Sequence, residues 1–410
     1  MTTEEQAYDQ ERLEHWLWRL GRQDLSRRTL LRAAALGAGG AALGFALPTL
    51  TPTTAAAATG IVKPTPPELF RLLGTNAEML WEAMAGQGYL TGIDRFFVRN
   101  HTTTPSIDLK SWRLRIEGSG VKKPVDLNYA QVVKLGCETV TKFVECAGNG
   151  RSFFASQQGT PASGSQWRLG AVGVAEWTGV PLAAVLERAG LSESAVDVMP
   201  EGLDDPVGTQ GHVRRPLPIE KALDPDTLLV YAMNGKVLPA DHGFPIRLLV
   251  PGWAGIASIK WVGRIEVSTD PLFSAWNTTL YRLFGDAYPD SPLVTDQAVK
   301  SAFELPFPAT LPGGSHTLTG RSWSGIAGIA GVDVSVDGGV SWQPATLAGR
   351  NKPQAWVQWS VPWSPAPGDY VLKARGRDLA SPSRVQPDTV PFNTQGYLFG
   401  AVVDHPVTVT

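Results

Sequence analysis

The residues best equipped for chemistry lie in one stretch, Thr141 to Phe154, reading TKFVECAGNGRSFF. A β-rich run ends in Glu145-Cys146, the small turn Ala147-Gly148-Asn149-Gly150 follows, and Arg151 comes next. A thiol just past a strand, beside a guanidinium and on glycines that allow close backbone approach, can exist as thiolate. Thiolate is the form that ligates soft metals or attacks electrophiles. A lone cysteine also reads as a small buried hydrophobe, so the neighbouring strings have to decide between the two.

Four further strings carry polar residues at fixed spacing. Phe97-Val98-Arg99-Asn100-His101 lies upstream, with Arg99 47 positions before Cys146. Its guanidinium offers a planar donor fork that suits an oxyanion. Glu201-Gly202-Leu203-Asp204-Asp205 follows the loop, then Asp241 to Gly252 (DHGFPIRLLVPG) and Ser258-Ile259-Lys260-Trp261-Val262. Taken with ECAGNGRS and with Trp177-Thr178-Gly179-Val180-Pro181-Leu182, these strings resemble the sulfite oxidase family over roughly residues 90–410. The resemblance implies a molybdenum–molybdopterin cofactor whose single protein ligand to the metal is Cys146. It implies that Arg99 and Arg151 face a bound oxyanion. Phe97, Asn100, His101, Asp204 and Ser258 then belong to the cofactor-binding set. His242, Arg247 and Lys260 clasp the phosphate end of the pterin, since one anion needs several fixed donors. Trp167 reads either as a wall of the substrate pocket or as core.

Three departures bear on the substrate. The first of the family's two arginines after CAGN is Gly150 here, and the segment after the EGLD string contains no tyrosine. His212 is the expected catalytic stand-in, with Arg214 or Arg215 restoring positive charge. The asparagine-to-glycine segment near the C-terminus, where the animal enzymes carry an arginine, reads Asn393-Thr394-Gln395-Gly396 here. A missing cationic partner costs about 2–4 kcal/mol of transition-state stabilisation, which leaves sulfite, another sulfur oxyanion, a sulfane group or an organic substrate open.

The elements that must position these residues are short. The chain has 410 residues, net charge −2, 18% charged residues, 43 glycines and 32 prolines. This length accommodates two cored domains, the near-neutral charge gives no case for nucleic acid, and the turn-rich composition argues against a helical bundle. Two cysteines exclude a disulfide scaffold, a cysteine-rich zinc site and a C-x-x-C-H haem attachment. Residues 64–92 read as helical turns, Trp112 to Gly118 and Thr139 to Val144 as strands, and Leu127 to Gly136 and Pro181 to Ala189 as helices. From Pro308 the pattern becomes short strands with Asp-Gly turns, which predicts an immunoglobulin-like β-sandwich. The expected fold class is α+β, a mixed α/β catalytic domain at 59–300 followed by the sandwich at 301–410. Residues 1–58 read as a leader: Ser26-Arg27-Arg28 before an Ala/Gly-rich apolar run resembles a twin-arginine export signal. The expected enzyme is therefore an exported oxidoreductase acting on a small sulfur-containing substrate. It is a homodimer that passes electrons singly to an external carrier such as a c-type cytochrome. A same-fold reductase of sulfoxide or nitrate and a non-catalytic binding protein are the alternatives.

Overall fold

Short alternating runs broken by glycine and proline fold mostly into strands, and the longest α-helix among the described residues is the seven-residue Leu182–Arg188. The computed structural model describes residues 60–410, all within one compact unit; the expected leader lies outside the described residues. The cysteine strand, Glu138–Glu145, pairs antiparallel with Val172–Pro181 in a five-stranded sheet completed by Leu228–Met233, Lys236–Val237 and Arg247–Leu249. A second five-stranded sheet runs Val125–Leu127, Leu114–Glu117, Val262–Ser268, Asp197–Gly202, Leu217–Pro218. Its central pair, Leu114–Glu117 with Val262–Ser268, is parallel. Apolar side chains such as Leu114, Val180, Val185, Leu248 and Ile265 pack between these elements in one buried cluster.

Two more sheets follow. One is Lys300–Phe303, His316–Trp323, Trp356–Trp363, Thr346–Ala348; the other is Ala309–Leu311, His405–Val409, Gly368–Asp378, Ile329–Ser335, Gln343–Pro344. They share a core of Leu318, Val334, Val357, Trp359 and Leu372. A separate cluster joins this half to the cysteine region: Trp81, Phe143, Phe153 and Phe154 pack with Trp323, Trp356 and Phe399.

Residues 64–92 depart from the expected helical turns. Phe70–Leu73 and Asn76–Met79 form an antiparallel hairpin, and only Trp81–Met84 coils, as a single 3-10 turn. Gly74, at φ +68°, supplies the left-handed turn a two-residue loop demands, which outweighs local helix preference. Asn128 caps the short helix Tyr129–Val133 through a reciprocal box with Gln131, which is why that helix begins where it does.

Candidate active site

Cys146 leaves its strand at a loop held by hydrogen bonds on every side. Its N–H donates to Ala171 O at 2.9 Å, and Asn149 N–H donates to Cys146 O at 2.9 Å. The Asn149 side chain donates to Glu145 Oε1 and accepts from Ala171 N, both at 2.9 Å. Glu145, fully buried, also takes Lys300 Nζ at 2.6 Å and Trp323 Nε1 at 2.9 Å. Gly150 sits at φ +96°, and a Cβ there would lie 3.0 Å from the Phe399 side chain. The missing first arginine of the loop thus coincides with a backbone that side chains rarely adopt.

The loop opens on a cavity of about 720 Å³, counting its mouth. Ten of the twelve residues singled out from sequence line it: Phe97, Arg99, Asn100, His101, Cys146, Asp204, His242, Arg247, Ser258 and Lys260. Arg99 donates to Asn100 O, and Asn100 in turn receives Lys260 Nζ on its amide oxygen. Lys260 also donates to Asp241 O at 2.8 Å. Arg247 bonds His242 O (3.2 Å) and Ser258 O (3.1 Å), while Ser258 Oγ accepts from Val250 N. Asp241 anchors the wall by accepting from Val62 N, Lys63 N and Thr104 Oγ1 at 3.0, 2.7 and 2.6 Å.

Two of the twelve fall outside the lining. Arg151 is buried behind it, donating to Gln395 O and Ser165 O at 2.9 Å with its guanidinium 5.2 Å from the Tyr397 ring. His212 is exposed, its Nδ1 2.7 Å from Asp204 O, so the structure does not bring it into the cavity. The tyrosine missing from the 208–215 segment comes instead from the arm beyond residue 270. Tyr281 lines the cavity with its hydroxyl 3.1 Å from His101 Nε2 and stacks on Tyr397 at 5.0 Å and 7°. Capped by Ser274, the one-turn helix Ala275–Thr278 aims this tyrosine. Trp167 is core, edge-on to Phe97 and outside the lining.

Burial dominates the electrostatics. It pulls the Arg247 guanidinium down to about 9 and the Lys260 ammonium well below its usual range. Burial likewise keeps His242 neutral; His101 is held neutral by burial with Arg99 and Lys260 adding to it. Asp204 is pushed up to about 6 by the same desolvation. Arg99, Arg247 and Lys260 form no ion pair with a carboxylate among the described residues. His242 Nε2 and Asp204 Oδ1 are buried without a hydrogen-bond partner among the described residues. Unpaired buried cations and orphaned polar atoms are costly, so the chain is built around an anion with donors and acceptors of its own. No group of three or more His, Cys, Asp or Glu among the described residues is able to hold a metal unaided. A metal at Cys146 must therefore draw its remaining ligands from a bound cofactor. The donor set fits a phosphorylated pterin that carries sulfur ligands.

A cavity lined by one thiol and by several basic side chains without a carboxylate partner defines a molybdopterin-type oxidoreductase site. Residues 101–276 match the family model described as oxidoreductase molybdopterin binding domain. Mouse mitochondrial sulfite oxidase is 35% identical over 346 residues, covering 80% of this chain and 62% of that protein. For chicken sulfite oxidase the identity is 36%, covering 79% and 74%. An NADH nitrate reductase of Ulva prolifera is 31% identical over 73% of this chain and 38% of its own. The crystal structure of the sulfane dehydrogenase SoxCD from Paracoccus pantotrophus superposes with a TM-score of 0.71 at 25% identity, covering 92% of this chain and 96% of that one. The chain belongs to the sulfite oxidase family of molybdopterin-dependent oxidoreductases. It spans 62% of the length of the mouse relative.

Proposed function

We propose that the protein oxidises a sulfur centre in a small anionic substrate by transferring oxygen to it, and hands the electrons to an external carrier. The observation that carries this reading is the set of unpaired cations, Arg99, Arg247 and Lys260, on the same cavity as Cys146. When bound, the cofactor supplies two-electron oxygen-atom exchange with the substrate sulfur. Cys146 provides the protein's thiolate to the metal. His242, Arg247 and Lys260 hold the phosphate end and orient the pterin. Arg99 presents its guanidinium to the substrate oxyanion, and a charge-assisted bond in this enclosed site is stronger than one in water. Tyr281, held 3.1 Å from His101 Nε2, presents its hydroxyl to the same space. Phe97, Val144 and Ile256 exclude water from the walls.

Export through a twin-arginine leader at 1–58 suits a chain that folds around its cofactor before translocation, and the change of pattern near Pro308 divides the rest into 59–300 and 301–410. The paired C-terminal sheets are read as an immunoglobulin-like module that dimerises the enzyme, and a c-type cytochrome is the carrier first expected. The similarity to nitrate reductase favours a second reading, oxygen removal from substrate. Steady-state assays decide between them: sulfite with ferricyanide as acceptor against nitrate or sulfoxide with reduced viologen. Molybdenum is quantified in parallel. Sulfite-dependent reduction of ferricyanide supports oxidation, whereas turnover only with viologen reverses the direction. Absence of molybdenum in active protein, or full activity of Cys146→Ser, refutes the site.

A further inference from the structure

We propose that a second cavity, lying behind the cysteine loop, binds a quinone-class electron acceptor; the proposal rests on the oxidative reading above. This cavity has about 630 Å³ of empty space with its mouth included, and Trp81, Phe153, Phe303 and Phe307 wall it. It abuts the metal-ligand loop through shared backbone. Leu169 and Gly170 line it, while their neighbours Arg168 and Ala171 accept hydrogen bonds from Gly150 N (2.6 Å) and Cys146 N (2.9 Å). A second line of contact runs from Glu145, beside Cys146, to Trp323 Nε1 at 2.9 Å, and from Trp323 to Trp81, stacked at 5.7 Å. The cavity thus touches the loop by two short routes, where a small redox partner is useful.

The polar groups on this cavity select the ligand. His405, 5% exposed, donates from Nε2 to Pro306 O at 2.8 Å and lies edge-on to Phe303 and Phe307. Its Nδ1 is therefore the lone-pair side and receives no donor among the described residues; burial brings the ring down to about 4, so it stays neutral. Arg168 spends one donor on Phe307 O at 2.7 Å and pairs with no carboxylate among the described residues. Trp81 Nε1, on a residue 8% exposed, is buried without a partner. Glu78 is already engaged by Arg71 and Gly170 N. An aromatic ring fits the walls. A carbonyl oxygen on it accepts from Arg168, and the opposite oxygen, once reduced to hydroxyl, donates to His405 Nδ1. The overall step balances as sulfite plus water plus quinone giving sulfate plus quinol: sulfur loses two electrons, water gives the oxygen, and its two protons end on the quinol.

The test uses molybdenum-loaded protein and a benzoquinone without an isoprenoid tail. Binding is read by calorimetry and tryptophan quenching, and reduction by quinone absorbance with sulfite present. Ferricyanide reduction is measured alongside. The expected result is saturable quinone binding, sulfite-dependent quinol formation, quinone binding weakened about tenfold in Arg168→Gln, and binding of the matching quinol weakened about tenfold in His405→Leu, each the size of one lost hydrogen bond to a charged or buried partner. Ferricyanide activity of both variants should stay within about twofold of the parent, since neither side chain touches the first cavity. No saturable binding, parent-level quinone binding by Arg168→Gln, parent-level quinol binding by His405→Leu, or binding without reduction while ferricyanide is reduced overturns the proposal and leaves the oxidative reading intact. Failure of sulfite to reduce either acceptor overturns the oxidative reading, and with it this one.

Discussion

Replacing Lys300 by methionine isolates the interaction that fixes the cysteine loop. Lys300 and Glu145 are 1% and 0% exposed and meet at 2.6 Å. Methionine keeps most of the aliphatic stem, so packing loss is small and the change is mainly one of charge. Glu145 would retain only the neutral donors Asn149 Nδ2 and Trp323 Nε1, both at 2.9 Å. Leaving one partner of a buried pair uncompensated costs about 3–5 kcal/mol. Adding Glu145→Gln removes the orphaned charge, and the double variant should recover at least about 1 kcal/mol over Lys300→Met alone. The assay is urea unfolding followed by tryptophan fluorescence, on preparations matched for molybdenum content because bound cofactor stabilises by mass action. A Lys300→Met variant within about 1 kcal/mol of the parent, the scale of an ordinary surface change, would refute the argument. Strict additivity of the two substitutions would refute it as well.

Arg99→Gln should raise KM for an anionic substrate by about 10–100-fold, the loss of a charge-assisted hydrogen bond, and an unchanged KM would mean the substrate is neutral. Tyr281→Phe leaves His101 Nε2 unpaired and should cut kcat/KM by about tenfold or more, while His212→Ala should leave it within about twofold; the reverse order would restore His212 to the site. Lys63, whose ammonium donates to Ile93 O and Phe96 O, is lowered to about 7, mainly by desolvation. The unfolded chain therefore binds the extra proton between about pH 7 and 10.5, so this lysine contributes stability that is complete above that window and lost as pH falls to about 7. Denaturation midpoints at pH 7 and 9.5 should show that slope in the parent and not in Lys63→Met.

Contiguous strings were what the sequence made readable. ECAGNGRS, FVRNH and DHGFPIRLL each fold as one local piece, so residues adjacent in sequence, such as Asn100 with His101 and Asp241 with His242, reach one cavity together. The series of short strands after Pro308 followed from alternation, Trp356–Trp363 among them. Tyr281 was not legible, because the arm that carries it has no periodicity and its place is set by Ser274, His101 and Tyr397 from distant segments. Arg151 was legible as a cation but not as one whose donors are consumed by the carbonyls of Gln395 and Ser165. The hairpin at 70–79 was hidden by residues that favour helix, until the turn at Gly74 overrode them.

The amides of Val62 and Lys63 gripping Asp241 tie the first described residues to the cavity wall beside His242. Loss of these two amides would leave Asp241 with Thr104 Oγ1 alone of the three donors that hold it. One side of Asp241 would then be unheld, next to His242 on the cavity wall. The start of the described fold is in this way a prop for the cavity from its far side.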